Sequence, residues 1–167
     1  MTMSQKLFSF EGRLRRMDWW LLGILVGFMG LVANLVLRFL PVPNPLVGSA
    51  GFPQASLFEI LVTLPVLWMQ MALSAKRAHD VNLSAAPFVA FQLFSTVFSF
   101  LPAAWAFVPG VEVGPGWGWL LSAVFIIGGL AVFIWLGFID GTPGPNRFGP
   151  SPKWEARAVF NEPGGLG

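Results

Sequence analysis

Four long runs of apolar residues punctuate the chain, separated by polar or Pro/Gly-rich stretches. They cover residues 19–40, 57–75, 86–108 and 117–139. Each is close to the roughly 20 residues a helix needs to cross the hydrocarbon core of a bilayer. The pattern predicts an all-α polytopic membrane protein, a bundle of four transmembrane helices over residues 19–139. A cytoplasmic segment over 1–18 precedes it, and an irregular Gly/Pro-rich cytoplasmic tail over 140–167 follows. Pro41, Pro43 and Pro45 stop the first helix, because proline cannot donate to the helical ladder. Pro109-Gly110 and Gly114-Pro115-Gly116 punctuate the third connection. Pro65 falls inside the second run and is expected to kink its helix, which a bundle tolerates when neighbours re-satisfy the freed carbonyl. Pro102 is likewise expected to kink or shorten the third. The first run is longer than the core of a cleaved signal and is expected to be retained.

Polar positions within the runs recur at helical spacing, about 100° per residue. One face of the first run collects Arg16, Trp20, Gly23, Gly27, Gly30, Asn34 and Arg38. The second aligns Glu59, Thr63, Gln70, Ser74 and Arg77, and the third aligns Gln92, Ser95, Thr96 and Ser99. The fourth offers Gly118, Ser122 and Gly129. Polar groups are costly against lipid, so these stripes are expected to face one another, with Arg38 paired to Glu59. Asn34, Arg38, Glu59, Gln70 and Gln92 are then either glue between helices or the lining of a hydrated path or ligand cavity. The glycines let backbones approach closely.

Composition agrees with a membrane setting. Of 167 residues, 55% are hydrophobic and only 11% charged, where a soluble domain carries about 25% charged residues. The net charge of +2 is too small to suggest nucleic-acid binding, but its distribution is informative. Nine of the ten Lys and Arg residues lie before the first run, between the second and third, or after the fourth. The positive-inside rule places those three segments, and with them both termini, in the cytoplasm. Trp19, Trp20, Trp117 and Trp119 sit at run ends, where amphipathic rings favour the interface. With no cysteine, disulfides and thiolate chemistry are excluded. A single histidine makes an all-histidine metal site within one chain impossible. No cofactor is expected.

Three polar motifs stand at cytoplasmic ends of the runs. The first is Phe10-Glu11-Gly12-Arg13-Leu14-Arg15-Arg16-Met17-Asp18-Trp19-Trp20 and the second Lys76-Arg77-Ala78-His79-Asp80. The third is Gly141-Thr142-Pro143-Gly144-Pro145-Asn146-Arg147-Phe148-Gly149-Pro150-Ser151-Pro152. Asp80 is positioned to accept a bidentate bond from Arg13, Arg16 or Arg147, and Asn146 with its neighbouring glycines suits a tight turn. The candidate cluster is Gly12, Arg13, Arg16, Asp18, Arg77, His79, Asp80, Asn146, Arg147 and Gly149.

Taken together and in this order, the motifs resemble the signatures of a bacterial inner-membrane family called domain of unknown function 805. Its patterns are G-R-x-x-R-x-[ED]-[FY]-W, R-[LA]-H-D and G-x-x-G-x-N-R-[FY]-G-x-x-P. The chain departs from the family after His79-Asp80, where Val81-Asn82-Leu83-Ser84 stands in place of a glycine/serine turn followed by tryptophan. The resemblance implies topology and location in the inner membrane, and carries no activity.

Two readings of the cluster remain open. In one, the tail folds back under the bundle and an Arg–Asp network pins it as a clasp. In the other, Arg13, Arg16, Arg77 and Arg147 converge to hold a phosphate, as basic pockets beneath the inner leaflet hold anionic lipid, with His79 tuning the site by pH. No catalytic constellation is recognisable, and Gly141–Gly149 lacks the lysine and strand–helix context of a phosphate loop. The expectation is a non-enzymatic membrane protein whose partners are anionic lipid, a second copy or another membrane protein. A small transporter using the polar stripes is the alternative, and an enzyme acting on membrane lipid a more distant one.

Overall fold

The computed structural model describes residues 2–39, 57–105 and 115–153. These form five helices: α1 (Met3–Phe8), α2 (Arg16–Phe39), α3 (Leu57–Asp80), α4 (Ala86–Trp105) and α5 (Pro115–Phe138). The described residues form no strand; one isolated bridge joins Asn146 and Gly149. The four long helices coincide with the four apolar runs, and α1 is an addition within the segment expected merely to precede the first run. Thr2 caps α1 with a reciprocal bond to Gln5. α3 continues through Pro65 and past residue 75, so Lys76, Arg77, His79 and Asp80 ride on its last turn.

Two stretches are long and apolar enough to cross a membrane, Arg16–Leu37 in α2 and Phe58–Asp80 in α3. Shorter apolar stretches follow, Ala86–Phe98 in α4 and Ala123–Phe138 in α5. The side chain of Arg38, and with it the expected Arg38–Glu59 pair, lies outside what the structure describes, as does the tail beyond residue 153.

The helices pack antiparallel in sequence. Contacts of α2 and the segment before it with α3 run from Leu14 with Lys76, through Gly23 with Gln70, to Gly30 with Val66. Those between α3 and α4 pair Ala78 with Phe88 and Ser74 with Gln92. Those between α4 and α5 pair Phe91 with Gly128 and Phe98 with Phe125. The N-termini of α2 and α4 therefore gather at one end of the fold with the C-termini of α3 and α5.

Small residues set these approaches. A Cβ on Gly30 would stand 3.1 Å from Val66, and one on Gly128 would stand 2.7 Å from the Phe91 ring. Leu14, Leu22, Val26, Met69 and Leu73 form one buried cluster, and Ala78, Phe88 and Leu136 another; Trp19 packs against both.

Burial is inverted relative to a water-soluble domain. Arg77 and Lys76 are the largest fully buried side chains among the described residues. Meanwhile Leu21, Ile24, Phe28 and Leu31 of α2 and Val124, Ile126, Ile127 and Leu130 of α5 are exposed. Lys and Arg are almost never fully buried unless paired. Contiguous apolar faces of this kind mark contact with a membrane or a partner.

α3 ends in a Schellman arrangement. Asn82 takes a left-handed conformation (φ 61°), with Leu83 N–H donating to Ala78 and Asn82 N–H to His79. Asparagine here occupies the backbone conformation that glycine most often supplies. The departure from the family's glycine turn thus leaves the helix stop intact.

Candidate functional site

Asp80 is the hub of the end where the four helix termini meet. One carboxylate oxygen accepts from Arg13 (Nε at 3.1 Å, Nη2 at 3.0 Å) and the other from Arg77. The side chains involved are almost dry: 1% exposed for Arg13, 5% for Asp80 and 0% for Arg77. Arg77 reaches Asp80 because residues three apart share a helix face.

Neither guanidinium stops at Asp80. Arg13 also donates to the carbonyls of Thr142 (2.6 Å), Gly144 (2.7 Å) and Gly149 (3.3 Å). Arg77 donates to the carbonyls of Leu136 (2.7 Å) and Ile139 at the end of α5. The Leu136 and Ile139 carbonyls are among those that the C-terminal end of α5 leaves without a helical partner. The tail adds its own bonds: Thr142 N–H donates to the Asp80 carbonyl at 2.8 Å. Asn146 Nδ2 donates to the His79 carbonyl at 2.9 Å, while its Oδ1 accepts from Phe148 N–H. A reciprocal backbone pair between Asn146 and Gly149, both bonds 3.0 Å, closes the turn. Gly144 and Gly149 adopt positive φ there. Gly141 is required for a different reason, since a methyl group on it would collide with the Asp80 carboxylate.

His79 lies between the first and third motifs. Its ring stacks on Phe148 at 3.9 Å between centroids, and Nδ1 stands 3.2 Å from the Gly12 carbonyl. Gly12 itself has φ 89°. Arg147 lies over the other partner of this stack, 4.6 Å from the Phe148 ring, and donates to the Asn82 carbonyl.

Lys76 is a residue whose structural part the sequence reading did not assign. Its ammonium donates to the carbonyls of Gln5 (2.8 Å), Ser9 (2.6 Å) and Lys6, capping the end of α1. The last carbonyls of a helix are natural partners for a cation. The available signal was the capping box at Thr2 and Gln5, which marks a short helix ahead of the first motif. Thr142 and Arg15, which donates to the Pro152 carbonyl, were likewise not singled out.

The ten cluster residues thus divide. Gly12, Arg13, Arg77, His79, Asp80, Asn146 and Gly149 are brought into one bonded network. Arg16 is instead 44% exposed and pairs with Asp140 at 3.5 Å, which Lys153 also approaches, at 3.4 Å. Asp18 pairs with Lys6 at 2.9 Å. Arg147 is exposed at the turn. The four arginines expected to converge therefore do not form one open patch: two are enclosed by protein oxygens and two stand at separate places on the rim. Asp80 takes its second arginine from Arg77 and not from Arg16 or Arg147. Among the described residues no group of His, Cys, Asp and Glu is arranged to hold a metal ion.

Of the polar residues within the apolar runs, Gln70 and Gln92 bond between helices. Gln70 Nε2 donates to the Gly23 carbonyl at 3.2 Å, and Gln92 Nε2 to Ser74 Oγ at 3.0 Å. Asn34 bonds within its own helix, to the Gly30 carbonyl.

Comparison with known proteins places this architecture. Residues 7–150 match the family model described as protein of unknown function (DUF805). The uncharacterized protein YiiR of Escherichia coli K12 is 36% identical over 153 residues, which cover 89% of each chain. The inner membrane protein YhaI of the same strain is 28% identical over 150 residues, 87% of each. No solved structure matches. The family match takes in the first two motifs, the third as far as Pro150, and the helices between them, and the chain belongs to the DUF805 family of proteins of unknown function.

Proposed function

We propose that this is a non-enzymatic inner-membrane protein that crosses the bilayer four times, with both termini in the cytoplasm. Its Arg–Asp network is a structural clasp, and anionic lipid headgroups bind at the exposed rim cations Arg16, Arg147 and Lys153. Four long helices whose ends gather on one side fit an even number of crossings. The exposed apolar faces of α2 and α5 fit lipid contact, and the likeness to an inner membrane protein fits the location.

The observation that carries the clasp is the enclosure of Arg13 and Arg77. Each guanidinium meets the Asp80 carboxylate and at least two backbone carbonyls. A lipid phosphate would have to displace those partners. At the rim, by contrast, Arg16 and Lys153 share the single Asp140, leaving a local surplus of positive charge beside the expected inner leaflet.

Two measurements test this reading. A reporter that fluoresces only in the cytoplasm, joined after Gly167, is expected to be bright; activity of a periplasm-dependent reporter there would overturn the topology. Native mass spectrometry after gentle detergent extraction is expected to show retained anionic lipid. An Arg16→Ala/Arg147→Ala/Lys153→Ala variant should lose it while keeping its thermal transition. Absence of lipid from the parent, or its retention by the triple variant, would overturn the rim site.

A further inference from the structure

A cavity of about 370 Å³ lies where α2, α3, α4 and α5 meet, on the apolar side of the clasp. Its walls include Trp20, Phe91 and Phe133, and its polar groups are Gln70, Ser74 and Gln92. Among the described residues no charged side chain lines it. Ser74 is six residues before Asp80, about 9 Å along the helix. The volume is at the small end of ligand sites, which run about 300–1,000 Å³.

The polar groups are unevenly served. Gln70 gives its amide N–H to Gly23, and Gln92 gives its own to Ser74. Gln92 Oε1 is buried and has no partner, and it is alone in this among side-chain N and O atoms of the described residues. Leaving such a group unmet costs about 1–3 kcal/mol. Turning the amide over would not cure this. Ser74 Oγ can donate as well as accept, and the unmet group would become an N–H. A hydroxyl, which both donates and accepts, satisfies either orientation.

Neutral walls disfavour an ion, which would lose its hydration without gaining a counter-charge. Ile24 and Phe133 both line the cavity and are 63% and 41% exposed, so its mouth opens sideways between α2 and α5.

We propose that this cavity binds an uncharged amphiphile drawn from the bilayer, its apolar chain against the aromatic walls and its hydroxyl on the Gln92 amide, which must rotate to bring its buried Oε1 to the cavity surface. The inference rests on the membrane placement proposed above, which the reporter fusion tests separately. It does not depend on the rim cations.

The test uses the full-length protein in detergent and a matched pair of photoreactive probes. One is a long-chain primary alcohol with a diazirine in mid-chain, the other the same chain without the hydroxyl. Adducts are counted by intact mass spectrometry and mapped by peptide. The alcohol is expected to label the segments around Trp20 and Phe91 about fivefold more than the hydrocarbon, the weight of one hydrogen bond. Gln92→Met should bring the alcohol down to the level of the hydrocarbon. Gly23→Leu should suppress both probes, because a Cβ there meets nothing within 4 Å and the added chain has room to fill the space. Equal labelling of the unaltered protein by the two probes would overturn the proposal. So would adducts spread along the lipid-facing surfaces of α2 and α5, or labelling indifferent to Gly23→Leu.

Discussion

Arg13 and Asp80 are 67 positions apart in the chain and meet at 3.0 Å with almost no water access to either side chain. The contact joins the segment before α2 to the end of α3, and Arg13 extends it to the turn at Thr142–Gly149. One carboxylate therefore balances two enclosed guanidinium groups, with backbone carbonyls completing their shells.

That balance predicts an asymmetry. Asp80→Ala leaves Arg13 and Arg77 enclosed without an anion and should cost about 3–5 kcal/mol, as for other broken buried pairs. Arg13→Ala leaves the Arg77–Asp80 pair in place and should cost less. Thermal unfolding of both variants in one detergent checks the order, and equal losses would count against Asp80 as the hub.

The glycines of the tail should separate by mechanism. Gly141→Ala drives a methyl group into the Asp80 carboxylate and should release the tail. At Gly144 there is open space but φ is +73°, so Gly144→Ala should meet only the backbone penalty of about 1–2 kcal/mol. Limited proteolysis after Asp140 is the readout: rapid cleavage is expected for the first variant and near-normal protection for the second.

Lys76→Met should detach α1 without disturbing α3. The ammonium is replaced by an apolar group, and the carbonyls of Gln5, Lys6 and Ser9 lose their shared donor. Faster amide hydrogen exchange over Met3–Phe8, with unchanged exchange over the middle of α3, is the expected result.

The sequence made the four long helices legible because each is an uninterrupted apolar run bounded by Pro, Gly or charge. The Arg77–Asp80 contact was implicit in helical spacing. The family membership was legible too, from three motifs whose order and positions survive in the fold. The path of the tail was not. Glycine and proline announce turns but give no direction, and the Arg13 donors choose among carbonyls that every residue carries. Lys76 was hidden for a similar reason: its partners are backbone atoms of a six-residue helix too short to show a period. The positive-inside rule uses Lys76 only as a marker of orientation and says nothing of its bonds.

The turn at Thr142–Gly149 is made after all four long helices, yet it supplies four of the oxygens around Arg13. A nascent chain halted before that point carries an unsated guanidinium close to its beginning, beside helices already synthesised. Closure is thus deferred until α5 and the turn after it have been made. A product cut short upstream of Gly141 differs from a longer one at its first motif as well as at its broken end.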